Sequence, residues 1–241
     1  MISVCMATYH GEKYREVQIN SILSNISDKD EFIISDDGRD ESFLNSLLRE
    51  KEQGKPFIPL EGPGKGVVKN FEHAVRHAKG DIIFLADQDD VWTIDKVEKV
   101  MECFQNPECI LVLHDADLID ENGRQIEESF YAIRGSRPGI MKNIWKNSYI
   151  GCCMAFRREL LEYALPFPKS KILLHDMWLG LVAEQHGKVE FIEDKLLHYR
   201  RHGSNVSDME HFPIYKMIYK RLYACVALII RRIRGKKPVV K

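Results

Sequence analysis

The chain has six cysteines but no CxxC pair, and Cys5, Cys103, Cys109, Cys152, Cys153 and Cys225 form no small-domain disulfide pattern. That spacing excludes a fold stapled by disulfides and suits reduced thiols inside a cell, packed as small core residues. No apolar run approaches the roughly 20 residues needed to span a bilayer. The opening ISVCMATYHG has no basic region ahead of a long apolar stretch, so a cleaved signal peptide is not expected. Internal repeats and low-complexity segments are also missing. The expected setting is the cytoplasm, including the inner face of the plasma membrane.

A general cationic excess is lacking too. The formal net charge is −1, yet residues 214–241 carry nine Lys or Arg and no acidic residue, so residues 1–213 sum to −10. An acidic body argues against a general nucleic-acid binder, whose affinity comes from cations displacing counterions from phosphates. It leaves room for a local carboxylate site. With 241 residues and 44% hydrophobic content the chain can bury one substantial core. We expect one domain over residues 1–213 and a basic amphipathic helix or tail over 214–241. In the tail, Tyr215, Tyr219 and Tyr223 recur at helical spacing ahead of VALII and RRIRGKK. Such a segment either lies in a membrane interface or packs its apolar stripe on the domain or a partner.

Along the body, apolar runs alternate with helical periodicity. ISVCMA reads as a strand, followed by a helix with Val17, Ile19, Ile22, Leu23 and Ile26. EFIISDDG is a second strand, with a helical stretch around Phe43 to Leu48. Glu61 to Gly66 is turn-like and precedes a helix holding Phe71, Ala74, Val75 and Ala78. DIIFLA is the strongest strand, its continuous apolar character indicating burial on both faces. ILVLH at 110–114 is another strand, leading into DADLIDENG with a hairpin turn at Glu-Asn-Gly. Residues 129–149 read as irregular, GCCMAFRRELL as strand then helix, and a helix runs from about Asp176 to Gly187. VEFIEDKLLHYRRHGSNVS closes the body as a strand with a polar exit. This order predicts an α/β fold with a mostly parallel central sheet and flanking helices.

Ligands of such sheets sit beyond the carboxyl ends of the strands. Three strand ends here are polar together: Thr8 to His10, Asp36-Asp37, and Asp87 to Asp90. They are expected to converge on one crevice. In DQDDVW, Asp87 and Asp89 at i and i+2 project to the same side of an extended chain and supply the oxygen ligands a hard divalent cation prefers. The plain alternative is a solvated acidic turn. Asp36 and Asp37 either accept from a nucleobase N–H or close an Asx turn at Gly38. Asp176 is either a helix N-cap or a general base. His198, Arg200, Arg201 and His202 are either surface residues or groups approaching a diphosphate or a cation.

The stretches SVCMATYHGEKYREVQINSIL, DEFIISDDGRDES, GVVKNFEHAV, GDIIFLADQDDVWTIDKV, HDADLIDENG, GCCMAFRREL, LLHDMWLG and LHYRRHGSNVS resemble the family 2 glycosyltransferases of GT-A fold, in order and spacing, over roughly residues 1–210. DQDDVW with HDMW and YRRHGSN is most similar to the bacterial branch that builds cell-surface polysaccharides, rhamnosyltransferases among them. The resemblance implies a Rossmann-like nucleotide-binding half and inverting transfer from a nucleoside-diphosphate sugar. The donor it suggests is dTDP-L-rhamnose or a UDP-hexose, and the acceptor a saccharide or lipid-linked saccharide. It also implies Mn2+ or Mg2+, held by Asp87, Asp89 and His202, with Asp89 the more direct ligand. Thr8, Tyr9, Asp36, Asp37, Asp87, Trp92, Gly151, His175 and Arg200 fall at donor-binding positions, and Asp176 at the catalytic base. The chain departs from the family's DDGSTD at Gly38-Arg39-Asp40, and His175 stands where many members have Glu. Two rivals were weighed. A sugar nucleotidyltransferase needs a glycine-rich basic loop after the first strand, which ATYHGEKY does not match. A non-catalytic nucleotide-binding or scaffold protein of a polysaccharide assembly complex would have no use for Asp89 and Asp176.

Overall fold

A computed structural model describes residues 1–170, 172–203 and 213–235. Ser204 to Ser207 and Lys236-Lys237, parts of the polar exit and basic tail read above, lie outside the described residues. The chain alternates β1 (Ile2–Thr8), α1 (Arg15–Leu23), β2 (Glu31–Asp36), α2 (Glu41–Glu52), β3 (Phe57–Glu61), α3 (Val67–His77), β4 (Ile82–Ala86), β5 (Val91–Trp92) and α4 (Lys96–Cys103). It continues with β6 (Cys109–Ile119), β7 (Gln125–Glu127), α5 (Phe130–Arg134), α6 (Ile140–Trp145) and a short 3-10 turn at Gly151–Cys153. The last elements are β8 (Met154–Arg157), α7 (Leu160–Ala164), α8 (His175–His186), β9 (Lys188–Arg200) and α9 (Ile214–Arg234).

One sheet has the order β3-β2-β1-β4-β8-β6-β9-β5, with β7 on β6. Neighbours from β3 through β4 pair parallel, β8 runs antiparallel between β4 and β6, and β9 rejoins β6 in parallel. Six strands therefore share one direction, while β5, β7 and β8 oppose it. The expected mostly parallel sheet is present. Every residue of β2 and β4 is buried, as their unbroken apolar runs require. α3 packs on β1 and β2, and α8 packs on β6 and β9 while touching α3.

The differences from the sequence reading have local causes. β3 was not anticipated because Pro59 interrupts its short run, and proline is tolerated there because β3 is an edge strand. β6 extends past His114 to Ile119 because parallel pairing with β9 carries it through three register shifts. The segment 129–149, read as irregular, contains α5 and α6. Ser129 caps α5, its Oγ accepting from Ala132 N–H at 3.0 Å, and Gly135 ends it at φ +64°. On α1, periodic Val17 is exposed and Gln18 is buried instead. Four cysteines, Cys5, Cys109, Cys152 and Cys153, are in the core, while Cys103 and Cys225 are partly exposed.

Gly180, in the buried middle of α8, lies against the Tyr149 ring. A Cβ added there would come within 2.4 Å of that ring. Alanine's better helix propensity is worth only about 1 kcal/mol, whereas overpacking a core costs about 1–3 kcal/mol. Gly180→Ala is therefore expected to lower the midpoint of chemical unfolding; a raised midpoint would contradict this packing.

Candidate active site

Parallel pairing brings the carboxyl ends of β1, β2 and β4 to one level, because Thr8 is in register with Asp36 and Met6 with Ala86. Side chains then lock the three exits together. Thr8 Oγ1 donates to Asp36 Oδ1 at 2.7 Å, and buried Asn70 of α3 donates to the carbonyls of Thr8 and Ser35 at 3.1 and 2.9 Å. Gln88 grips the Tyr9 backbone at both ends: Tyr9 N–H donates to Oε1 at 2.9 Å and Nε2 donates to the Tyr9 carbonyl at 3.0 Å. Gln18 donates to the Asp87 carbonyl at 2.9 Å. The convergence expected from the strand ends is thus built largely by three amides that the sequence reading did not single out. For Gln18 and Asn70 the one signal is a polar residue on the buried face of a helix; Gln88, inside the polar turn DQDD, carries none.

Within this frame Asp36 serves its own loop. It is buried and accepts from Thr8, from Gly38 N–H at 3.3 Å and from Asp40 N–H at 2.8 Å, the Asx-type arrangement weighed above. Asp37 reaches across to the glycine-rich turn, its oxygens accepting from Gly64 and Gly66 N–H at 2.8 and 3.0 Å. Gly62 is required there, since a Cβ would sit 2.6 Å from Asp37 N. The Tyr9 ring is 61% exposed beside this loop and free to stack on a planar ligand.

The acidic cluster follows directly from β4. The ligating atoms of Asp87, Asp90 and Cys152 all lie within 4.8 Å of one another. Asp89 is held differently: His202 Nε2 lies 2.7 Å from its Oδ2, and the His202 ring stacks on Tyr14. Burial, then the charges of Asp89 and Asp176, push the Asp87 carboxyl up to about 7. Burial and the same crowding by Asp89 and Asp87 push Asp90 well above the usual carboxylate range. Lys96 is the buried countercharge; burial pushes it down to about 8, its ammonium donates to the Cys152 carbonyl at 2.7 Å, and it lies 4.0 Å over the Trp92 ring. Carboxylates so crowded, with an imidazole alongside, fit a hard divalent cation; the Cys152 thiol, pushed far up by burial, fits it poorly. Sequence reading named Asp87, Asp89 and His202; Asp90 is an added member of the cluster.

Other predicted residues are distributed unevenly. Trp92 is 4% exposed and packs under Lys96 and against Phe84, so the structure puts it beneath the cluster and not on the crevice wall. Arg200 is buried, donating from Nε to the Asp89 carbonyl at 2.9 Å and from Nη1 to the Asp120 carbonyl at 3.1 Å, while its own N–H holds Asp90. It shapes the acidic turn. His198 pairs with Asp117 at 2.7 Å. Arg201 lies over Tyr199. His175 is buried, stacked on Phe71 with centroids 4.1 Å apart, and burial pushes its imidazole toward the neutral form. Neither of its ring nitrogens has a partner among the described residues. Gly151 makes room for it, since a Cβ there would lie 2.9 Å from His175 Nε2. Asp176 occupies the first turn of α8 behind Leu174 at the N-cap position, and its Oδ1 accepts from Met177 N–H at 2.6 Å, so it serves the helix start while its other oxygen is not used in that bond. It stands close to Gly151, where a Cβ would lie 3.8 Å from Asp176 Cβ, and its charge raises the Asp87 carboxyl.

The family described as "Glycosyl transferase family 2" matches residues 3–164. The chain belongs to glycosyl transferase family 2. Among curated relatives, the dTDP-rhamnosyl transferase RfbG of Shigella flexneri is 27% identical over 239 residues, covering 90% of this chain and 78% of that one. The chain spans 66–78% of the length of the first curated relatives it matches. Staphylococcus aureus TarS 1-349 in complex with UDP-GlcNAc superposes with a TM-score of 0.70 at 15% identity, covering 95% of this chain and 69% of that one. The mannosyltransferase PcManGT of Pyrobaculum calidifontis, in complex with GDP-Man and Mn2+, gives 0.62 at 20% identity, covering 98% and 65%. These likenesses make the fold GT-A, as the sequence resemblance implied.

The crowded carboxylates carry a sign-definite consequence. A carboxyl raised from 3.8 to about 7 on folding binds more protons in the native state than in the unfolded chain between those values. Native stability without metal therefore falls as pH rises through that window. Asp87→Asn removes this loss, so in chelator the variant is expected to gain stability over wild type as pH goes from 5 to about 8. Parallel stability curves for the two proteins over that range would refute the crowding.

Proposed function

We propose that this family 2 protein is an inverting, metal-dependent glycosyltransferase moving a sugar from a nucleoside-diphosphate sugar to a saccharide or lipid-linked saccharide in surface-polysaccharide synthesis. The observation that carries this reading is the closeness of Asp176 to the acidic cluster at the carboxyl ends of the parallel strands: a Cβ on Gly151 would lie 3.8 Å from Asp176 Cβ, and the next residue, Cys152, lies within 4.8 Å of Asp87 and Asp90. Tyr9 and Asp37 bind the base, with Thr8 and Asp36 holding their loop in shape. Asp87, Asp89 and His202 would hold Mn2+ or Mg2+, which when bound neutralises the leaving diphosphate. The Mn2+ in PcManGT supports that assignment.

His175, neutral and unpartnered over Gly151, offers hydrogen bonds to the donor sugar. Asp176 takes the proton from the acceptor hydroxyl as that oxygen attacks the anomeric carbon from the face opposite the leaving group. One displacement inverts the centre, and no second carboxylate nucleophile is used, unlike in retaining glycosidases. The name of the Shigella relative favours dTDP-L-rhamnose as donor, with UDP-hexoses next.

Residues 1–213 form the catalytic unit in this reading, and 214–241 an appended basic segment, α9 within it, at the inner membrane face. No helix among the described residues is long and apolar enough to cross a membrane. α9 packs Ala224, Leu228 and Arg231 inward and leaves Ile218, Leu222, Val226, Ile229 and Ile233 exposed, an arrangement suited to lying in an interface.

Two measurements test this. Calorimetry of UDP, dTDP, GDP and CDP with Mn2+ is expected to give binding of one diphosphate, abolished by chelator and by Asp89→Ala; if no nucleotide binds, the catalytic reading fails. Asp176→Asn is expected to lower transfer by about 10²–10⁴-fold, the range for a lost general base, with donor affinity nearly unchanged. Loss of donor binding in that variant would remove Asp176 from the role of base.

A further inference from the structure

A concavity on the described surface is lined by residues other than those of the acidic cluster. It is a groove of about 890 Å3 between the end of α5 and α6, and Arg134, Arg137, Lys142 and Lys146 line it together with Met141 and Trp145. From the facing helix α9, Arg221 lies 3.8 Å over the Trp145 ring and donates to its carbonyl at 3.0 Å, and Lys220 stands nearby. None of these six cations forms an ion pair with a described residue. Their charges act on one another instead. Burial pushes Lys142 down, and Arg137 and Lys146 push it further, with Glu184 opposing; Lys220 is pushed down by burial and by Arg134, with Asp176 opposing. On a body whose first 213 residues sum to −10, such a patch is a local exception.

The groove is also apolar where a soluble protein has no reason to be. Met141 is 78% exposed and Trp145 71%, while the other two tryptophans, Trp92 and Trp178, are 4% and 1% exposed. Unneutralised cations ask for an anion, and an exposed indole and thioether beside them ask for hydrocarbon. A nucleic acid would supply only the first; an uncharged glycan would supply neither a charge nor a chain. The helices that flank the groove, α6 and α9, both pack on α8, which carries Asp176 in its first turn, so a molecule anchored there is held against the helix of the proposed base.

We propose that this groove anchors the acceptor, and that the acceptor is an anionic amphiphile whose phosphate sits among Arg134, Arg137, Lys142 and Lys146 with its hydrocarbon against Trp145 and Met141. This rests on the glycosyltransferase reading and specifies its acceptor class. The groove shares no lining residue with the proposed donor site.

Trp145 reports its own occupancy, being the exposed tryptophan. Monomeric dodecyl phosphate, below its micellar concentration, is titrated against the full chain, with dodecyl maltoside as uncharged control. Expected are a saturable blue shift of emission for the phosphate alone, absent in Trp145→Phe, with a midpoint about tenfold weaker in the double variant R137E/K146E. Both substituted side chains are exposed, and unchanged binding of the cognate nucleoside diphosphate with Mn2+ verifies that the variant is folded. Equal responses to the two detergents, or an unchanged midpoint in R137E/K146E, overturn the proposal. Binding to phosphatidylglycerol vesicles without any response to the monomer overturns it as well, assigning the patch to a bilayer surface. If wild type binds no nucleotide, the donor reading falls while the dodecyl phosphate titration still decides the groove, with circular dichroism verifying the fold.

Discussion

Burial of the Asp87 and Asp90 carboxyls, with Asp89 beside both, is the constraint around which the acidic turn is arranged. At an effective dielectric near 20, like charges about 4 Å apart repel by roughly 4 kcal/mol, enough to pull a flexible turn open. The turn stays closed because it is fastened to a buried strand. Ile82 to Ala86 are all buried, and each large apolar side chain so placed contributes about 1.5–3 kcal/mol. Arg200 fastens the far side through the Asp89 carbonyl and Asp90, and Lys96 supplies one positive charge from below. The core thus holds in place a set of charges that would not assemble by themselves, and a cation is the natural complement to what it holds.

Much of this could be read along the chain because parallel strands buried on both faces leave unbroken apolar runs, and each run ends where its polar residues begin. Thr8, Asp36-Asp37 and Asp87–Asp90 stand at such ends, and backbone register alone brings them together. The directionality of the sheet was legible for the same reason. The edge strand β3 was not, since Pro59 erases the pattern at a position where only sheet order shows that proline is harmless.

What escaped reading is the work of polar side chains facing inward. Gln18, Asn70 and Gln88 look like surface residues in sequence, and only the folded chain reveals that their amides carry the backbone of the crevice. Trp92 misleads in the opposite sense: next to the acidic motif it reads as a ligand contact, whereas it forms the floor under Lys96. α5 and α6 are too short to show periodicity. Ser129 and Gly135 did mark α5, a capping residue and a left-handed terminator six positions apart, but the apolar pattern between them is weak.

Glu184 of α8 has a consequence for how such a protein diversifies. Its carboxylate accepts from Gly139 N–H at 2.8 Å, from Asn143 at 3.2 Å and from the Tyr149 hydroxyl, tying α6 to α8. No strand of the sheet takes part in that attachment. Substitutions around it can re-aim the helix while the ladder under the acidic turn stays untouched. The groove beside α6 can then change shape by small steps across a lineage, while the strand ends that carry the acidic turn are inherited unchanged.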